Sequence, residues 1–306
     1  MASRGEIKEQ VARESERRAR LAVPTLAGGM LYLLSGIIIA STLKGAPSVG
    51  LLQGLAPALE GVASPVVSPR AAEVKFISHH AFGLIAGSTL AGVSIAALTL
   101  SLLLLSDATR FRRPESWSGT LPLVLGGGIA LALVSIGHQV VSVLEAHNFA
   151  VGHDLSTTAV ENALNKSTAN VITDYLDLVA GLAVAAGMVV VSLNARRVGL
   201  IPRWMGILGM VTGVLIFLPI GGDELEVVPA FWMVMMGILY VGKWPNGEPP
   251  AWAAGEARPW PSQVQMRAAR RGGLPAEALS GASADVAPAP AQPVGKSSSR
   301  KRRRKR

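Results

Sequence analysis

Residues 80–105, HAFGLIAGSTLAGVSIAALTLSLLLL, run for 26 positions without a lysine, arginine, aspartate or glutamate. About 20 apolar residues in a helix cover the hydrocarbon layer of a bilayer, and this run exceeds that length. Lipid offers no hydrogen-bond partners, so the backbone of such a run must satisfy itself internally, as a helix does. A barrel strand would show about ten residues of alternating polarity, and no alternation is present. Five further runs read the same way: 24–43, 119–144, 171–193, 204–220 and 225–242. The last is the shortest and borders the acidic residues Asp223, Glu224 and Glu226. The expected fold is an all-α membrane protein, a six-helix transmembrane domain over residues 24–242, preceded by a charged segment at 1–23.

Composition agrees. Half of the 306 residues are apolar and 16% are charged, against about a quarter in soluble domains. The charges crowd into the gaps between the apolar runs. Cysteine is absent, which excludes disulfides, thiolate metal sites and cysteine nucleophiles. The 24–43 run is longer than the 7–15 apolar residues of a cleaved signal and follows a long charged segment, so an uncleaved first span is expected. Abundant arginine, alanine and glycine fit a GC-rich bacterial genome, hence a bacterial plasma membrane. With six spans and a cytoplasmic N-terminus, 25 of the 29 basic residues fall inside. Only Lys44, Arg70, Lys75 and Lys166 fall outside, the asymmetry of the positive-inside rule. Both termini are therefore expected in the cytoplasm. Trp117, Trp204, Tyr240 and Trp244 then sit at the inner interface, where aromatic anchors concentrate.

Within the N-terminal segment, residues 5–20 read as a short charged helix. Glu9 with Arg13, Glu14 with Arg18 and Glu16 with Arg20 are spaced i,i+4, each pair worth a few tenths of a kcal/mol. A solvated extension is the expected reading, with a partner-docking helix as the alternative. The first outer loop, 44–78, contains the apolar stretch LLQGLAPALEGV (51–62), too short to span and suited to the interface or to capping the bundle. The second, 145–170, offers Asp154 or Ser156 as the cap of a short helix. From residue 243 proline, alanine, glycine and serine dominate, and disorder is expected to residue 306. The tail ends in Arg300, Lys301, Arg302, Arg303, Arg304, Lys305 and Arg306. That cluster suits anionic lipid headgroups at about 1 kcal/mol per basic residue, or a cytoplasmic protein, and charge alone also permits nucleic-acid phosphates.

Polar residues within the spans are where function would show. In this topology all five histidines lie toward the outer side: His79 and His80 open the second span, His138 lies in the third, and His147 and His153 follow it. Glu145, Asp174 and Asp177 lie at the same level. His138 and Glu145 share a helical face, as do Asp174 and Asp177. Convergence of His79, His80, His138, Glu145, Asp174 and Asp177 would make an outward pocket for a divalent metal or a proton-linked site. Solvation of the same groups at the headgroup level is the plainer reading, and the sequence names no cofactor. Gly83 with Gly87, Gly209 with Gly213, and the run at 126–128 read as close-packing positions.

The stretches GLIPRWMGILGMVTGVL (199–215) and PAFWMVMMGILYVGKWPNG (229–247) resemble a family of multi-spanning membrane proteins common in actinobacteria, marked by a Leu-Pro-Arg-Trp-like turn before the penultimate helix. Here the turn is Leu200, Ile201, Pro202, Arg203, Trp204, with one extra isoleucine. The resemblance implies a small helical bundle and carries no activity or catalytic residue. The function expected is a non-enzymatic membrane scaffold or assembly factor with a partner- or lipid-binding tail. The alternative is a small transporter or sensor built on the histidine–aspartate cluster.

Overall fold

A computed structural model describes residues 3–47, 50, 68–116, 118–152, 154–217, 227–245 and 247–260. The described residues form helices α1 (Arg4–Leu43), α2 (Ala71–His79), α3 (Ala81–Arg112), α4 (Thr120–Gly152), α5 (Thr157–Glu161), α6 (Thr168–Val198), α7 (Arg203–Phe217), α8 (Val227–Tyr240) and α9 (Pro250–Ala254). A single π-helical turn, Asn162–Lys166, joins α5 to α6, and no strand occurs among the described residues. Four helical stretches are long and apolar enough to cross a membrane: α1, α3, α4 and the stretch ending in α6. Helices α7 and α8 are apolar but shorter.

Six helices pack as a closed ring in the order α1, α3, α4, α6, α7, α8, with α8 returning to α1. Neighbours along the chain run antiparallel: Gly128 meets Thr99, Gly127 meets Ala183, and Gly206 meets Arg196. All six contribute to a small central cavity of about 30 Å³, lined among others by Tyr32, Ser94, Leu131, Val184, Ile216 and Met233. That volume holds little more than a water or two.

Close approach depends on glycine, as the sequence pattern predicts. A Cβ on Gly213 would stand 2.8 Å from the Ala185 carbonyl oxygen, and one on Gly29 would stand 2.7 Å from that of Ala230. Backbone cannot swing aside as a side-chain tip can. Gly83 and Gly87 of α3 likewise face Thr42 and Ile39 of α1. Gly126, in contrast, faces open space. Gly213→Ala is therefore expected to cost about 1–3 kcal/mol through overpacking, while Gly126→Ala leaves the melting temperature in nanodiscs within a degree or two of the parent. Equal shifts for the two would show that α6 and α7 do not touch at Gly213.

Three expectations need correction. The charged N-terminal segment is neither separate nor fully solvated. It continues through Pro24 into the first apolar run as one 40-residue helix. Its start is fixed by a capping box, in which the Ser3 hydroxyl accepts from the Glu6 N–H and the Glu6 carboxylate accepts from the Ser3 N–H at 2.6 Å. The latter bond holds the Glu6 carboxyl below its ordinary pKa. Of the three i,i+4 pairs, Glu9–Arg13 and Glu16–Arg20 form. Glu14 and Arg18 do not pair with each other; both are buried against other parts of the chain. Second, the region assigned to a disordered tail begins too early, because residues 243–260 fold back on the bundle and Trp252 of α9 is fully buried. Third, Tyr240 is no interfacial anchor. It is buried, and its hydroxyl donates to the Ser101 carbonyl at 3.2 Å. Trp117, the acidic run at 223–226, the 51–62 stretch and residues 261–306 lie outside the described residues.

Candidate functional site

The ring has two chemically distinct ends. One holds the histidines. There α4 extends eight residues past its expected end, and α2, α5 and the π-turn close over it. Val74, Ala146, Phe149 and Val160 form a small apolar core of their own. Ser156 caps α5, its hydroxyl accepting from the Ala159 N–H at 3.2 Å. The Asp154 carboxylate accepts from the Ser156 N–H at 2.9 Å, which keeps the Asp154 carboxyl below its usual pKa.

The predicted cluster comes together only in part. His138 Nδ1 stands 3.2 Å from Asp174 Oδ1 and 3.3 Å from the Thr173 hydroxyl. Asp177 follows one turn along the same exposed face of α6. His79 and His80 are engaged locally instead, each with Nδ1 at hydrogen-bond distance from a carbonyl one turn back, those of Lys75 and Phe76. The His80 ring also stacks on Phe76 at 3.9 Å. Glu145 faces a separate cavity of about 210 Å³ shared with Asn148, Asp154 and Asn162. His153 lies outside the described residues. No group of three or more histidines and carboxylates suited to a metal occurs among the described residues.

What remains is a two-group contact on the outside of the bundle: the His138 and Asp174 side chains are 40% and 55% exposed. Exposed pairs contribute about 0–1 kcal/mol. Asp174→Asn is therefore expected to change unfolding stability by less than about 1 kcal/mol, and divalent metals to leave the melting temperature of parent and variant alike. A metal-dependent rise that Asp174→Asn or His138→Ala abolishes would show that the cluster closes around an ion after all.

The basic end is more elaborately built, and the sequence gives little sign of it. Glu14 of α1 and Arg112 of α3 form a bidentate ion pair at 2.7 and 2.8 Å, with side chains 3% and 0% exposed. Gln10 also donates to Glu14 at 3.0 Å. Every N–H of Arg112 is used: two on Glu14, one on the Ala108 carbonyl at 2.8 Å, and two on the Ala251 carbonyl of α9 at 2.9 and 3.0 Å. One turn further along α1, the Arg18 guanidinium lies 4.5 Å over the Trp252 ring and pairs with Glu248. The Trp252 indole N–H donates to the Leu200 carbonyl at 2.9 Å, in the turn between α6 and α7.

The chain after α9 stays attached. Gly255, at φ +66°, packs on Ile7 and Val11 of α1, and the Arg258 N–H donates to the Val198 carbonyl at 3.0 Å. Residues 248–260 thus form a strap tying the N-terminal helix, the end of α3 and the α6–α7 turn together. Spacing could not reveal this. Glu14 and Arg18 sit in a plausible helix-surface pair, and their partners are 98 and 230 residues distant. The one available signal was tryptophan: Trp244, Trp252 and Trp260 supply large aromatics in a stretch without leucine, isoleucine, valine or phenylalanine.

No protein-family model, curated protein or solved structure matches this chain.

Proposed function

We propose that this protein is a six-span scaffold of the bacterial plasma membrane whose basic tail binds a cytoplasmic partner or anionic lipid. The observation that carries the reading is the strap. Residues 248–260 are fastened to three parts of the bundle by hydrogen bonds, so the chain is tied down as far as the residues that precede the tail. A buried bidentate arginine pair is a geometry that costs desolvation and fixes orientation.

Six crossings are supported by the character of α7. Met205, Gly206, Gly209, Thr212 and Gly213 face the bundle, while Trp204, Ile207, Val211 and Val214 face outward. Neither face is polar, and a helix apolar all round belongs in a core or a membrane. The arginines and lysines gathered at the strap end support a cytoplasmic placement of both termini. A second reading, a proton-sensitive sensor, is favoured by the His138–Asp174 contact alone.

The absence of cysteine makes topology directly measurable. Lys8→Cys, Thr157→Cys and Ser299→Cys, made singly, are to be treated in intact cells with a membrane-impermeant maleimide. Labelling of Thr157→Cys alone is expected, and labelling at either terminus would overturn the orientation. The scaffold itself is tested by replacing the seven basic residues at 300–306 with glutamine and cross-linking in the native membrane. Localisation, cross-linked partners and phenotype all unchanged would remove the role given to the tail.

A further inference from the structure

The strap end carries a second feature, on the outer surface of α7 and α8. Trp204, in the first turn of α7, stacks on Trp244 just beyond α8, with centroids 5.8 Å apart and planes at 24°. Phe231 of α8 lies 6.5 Å from Trp204, tilted at 39° to it. Trp204 and Phe231 are each nearly half exposed. Arg203 and Lys243, the chain neighbours of the two stacked tryptophans, are exposed, and neither pairs with a carboxylate among the described residues. Two exposed basic residues from two segments, Arg203 and Lys243, thus adjoin an exposed aromatic notch formed by Trp204, Trp244 and Phe231.

An apolar track leads away from the notch. Trp204, Ile207, Val211 and Val214 follow at intervals of three, four and three, so they line one face of α7, and all are about half exposed. Ten residues of helix span about 15 Å, which is half of the roughly 30 Å hydrocarbon core. One ligand class has an anionic head followed by about 15 Å of hydrocarbon.

We propose that this notch and track form a site for a single anionic phospholipid of the inner leaflet, its phosphate between Arg203 and Lys243 and one acyl chain along α7. Basic pockets on the cytoplasmic side of a bundle recognise such headgroups, and tryptophan at that depth suits the boundary between head and chain. The site lies in the membrane domain and is independent of the polybasic tail. It rests on the orientation proposed above.

Quenching of tryptophan fluorescence by acyl-brominated lipids tests it, using the full chain in nanodiscs. Brominated phosphatidylglycerol is compared with brominated phosphatidylcholine at equal mole fraction. The contribution of Trp204 is taken as the difference between the parent and Trp204→Phe. Stronger quenching of that contribution by phosphatidylglycerol is expected. The preference should fall about fivefold per charge removed in Arg203→Gln and Lys243→Gln, with melting temperatures unchanged. It should survive glutamine substitution of the basic residues at 300–306. Equal quenching by both lipids would overturn the site while leaving α7 in contact with lipid. A preference that vanishes with the tail charges, or persists in both single variants, would also overturn it. No quenching by either lipid would overturn the site and, with it, the six-span topology.

Discussion

Glu14→Gln is expected to lower the unfolding free energy by about 3–5 kcal/mol, the largest effect of any single charge change in the chain. In the parent, all five N–H groups of Arg112 are satisfied and one full counter-charge faces the guanidinium. Glutamine keeps an oxygen at the site but removes the charge, and it turns one NH₂ group toward an arginine that can only donate. The cation is then buried without compensation, which costs far more than the pair contributes when intact. Arg112→Met inverts the problem, burying the Glu14 carboxylate without its partner and freeing the Ala251 carbonyl. The double variant Glu14→Leu with Arg112→Met leaves no buried charge. It is expected to recover more than half of either single loss, since apolar replacements of buried pairs are often neutral or better. Chemical unfolding in nanodiscs measures all three. Single losses below about 1 kcal/mol, the range of exposed pairs, would mean that water reaches this pair and that the strap is not sealed.

The contrast between the two ends of the molecule shows what a single sequence makes legible. Long charge-free runs announce helices because one local requirement, satisfaction of the backbone in lipid, governs every residue in them. Even so, the pattern misplaces their ends. Helix α4 runs on to Gly152, and the expected 5–20 helix continues unbroken into the first apolar run, because polar residues continue a helix where the apolar pattern stops. The close glycines were equally readable, since small residues at four-residue spacing have few other uses. Side-chain chemistry was less so. His79 and His80 have the right composition for a site, yet each ring is drawn to the carbonyl one turn back in its own helix. Spacing along one helix brings Asp174 and Asp177 to a common face but says nothing of which neighbour that face meets. At the basic end the error runs the other way. A local pairing rule matched Glu14 to Arg18 for a few tenths of a kcal/mol, whereas the fold offers Glu14 a bidentate, dehydrated arginine from α3. Tertiary contacts worth several times the local term decide such cases, and nothing at positions 10–20 encodes them.

Trp252→Ala separates the strap from the bundle it closes, and it is the second large effect expected. The side chain is fully buried, carries the hydrogen bond to Leu200 and lies beneath two guanidinium groups, those of Arg18 at 4.5 Å and Arg112 at 5.5 Å. Truncating a buried tryptophan to alanine costs about 3–5 kcal/mol. Here that cost falls on a peripheral segment, so local release of residues 248–260 is expected in place of global unfolding. Hydrogen exchange reads this directly. The Arg258 amide, bonded to the Val198 carbonyl, should lose its protection, while amides in the middle of α3 and α6 keep theirs. Trp252→Phe retains an aromatic face for Arg18 but leaves the Leu200 carbonyl without its donor, and a loss of about 1–3 kcal/mol is expected. Glu14→Gln should differ from both by deprotecting the first turns of α1 together with the strap, since Glu14 belongs to both. Undiminished protection at Arg258 in Trp252→Ala would show that other contacts fasten the strap. The residues that precede the tail would then no longer owe their attachment to this tryptophan, and the scaffold reading would lose the observation that carries it.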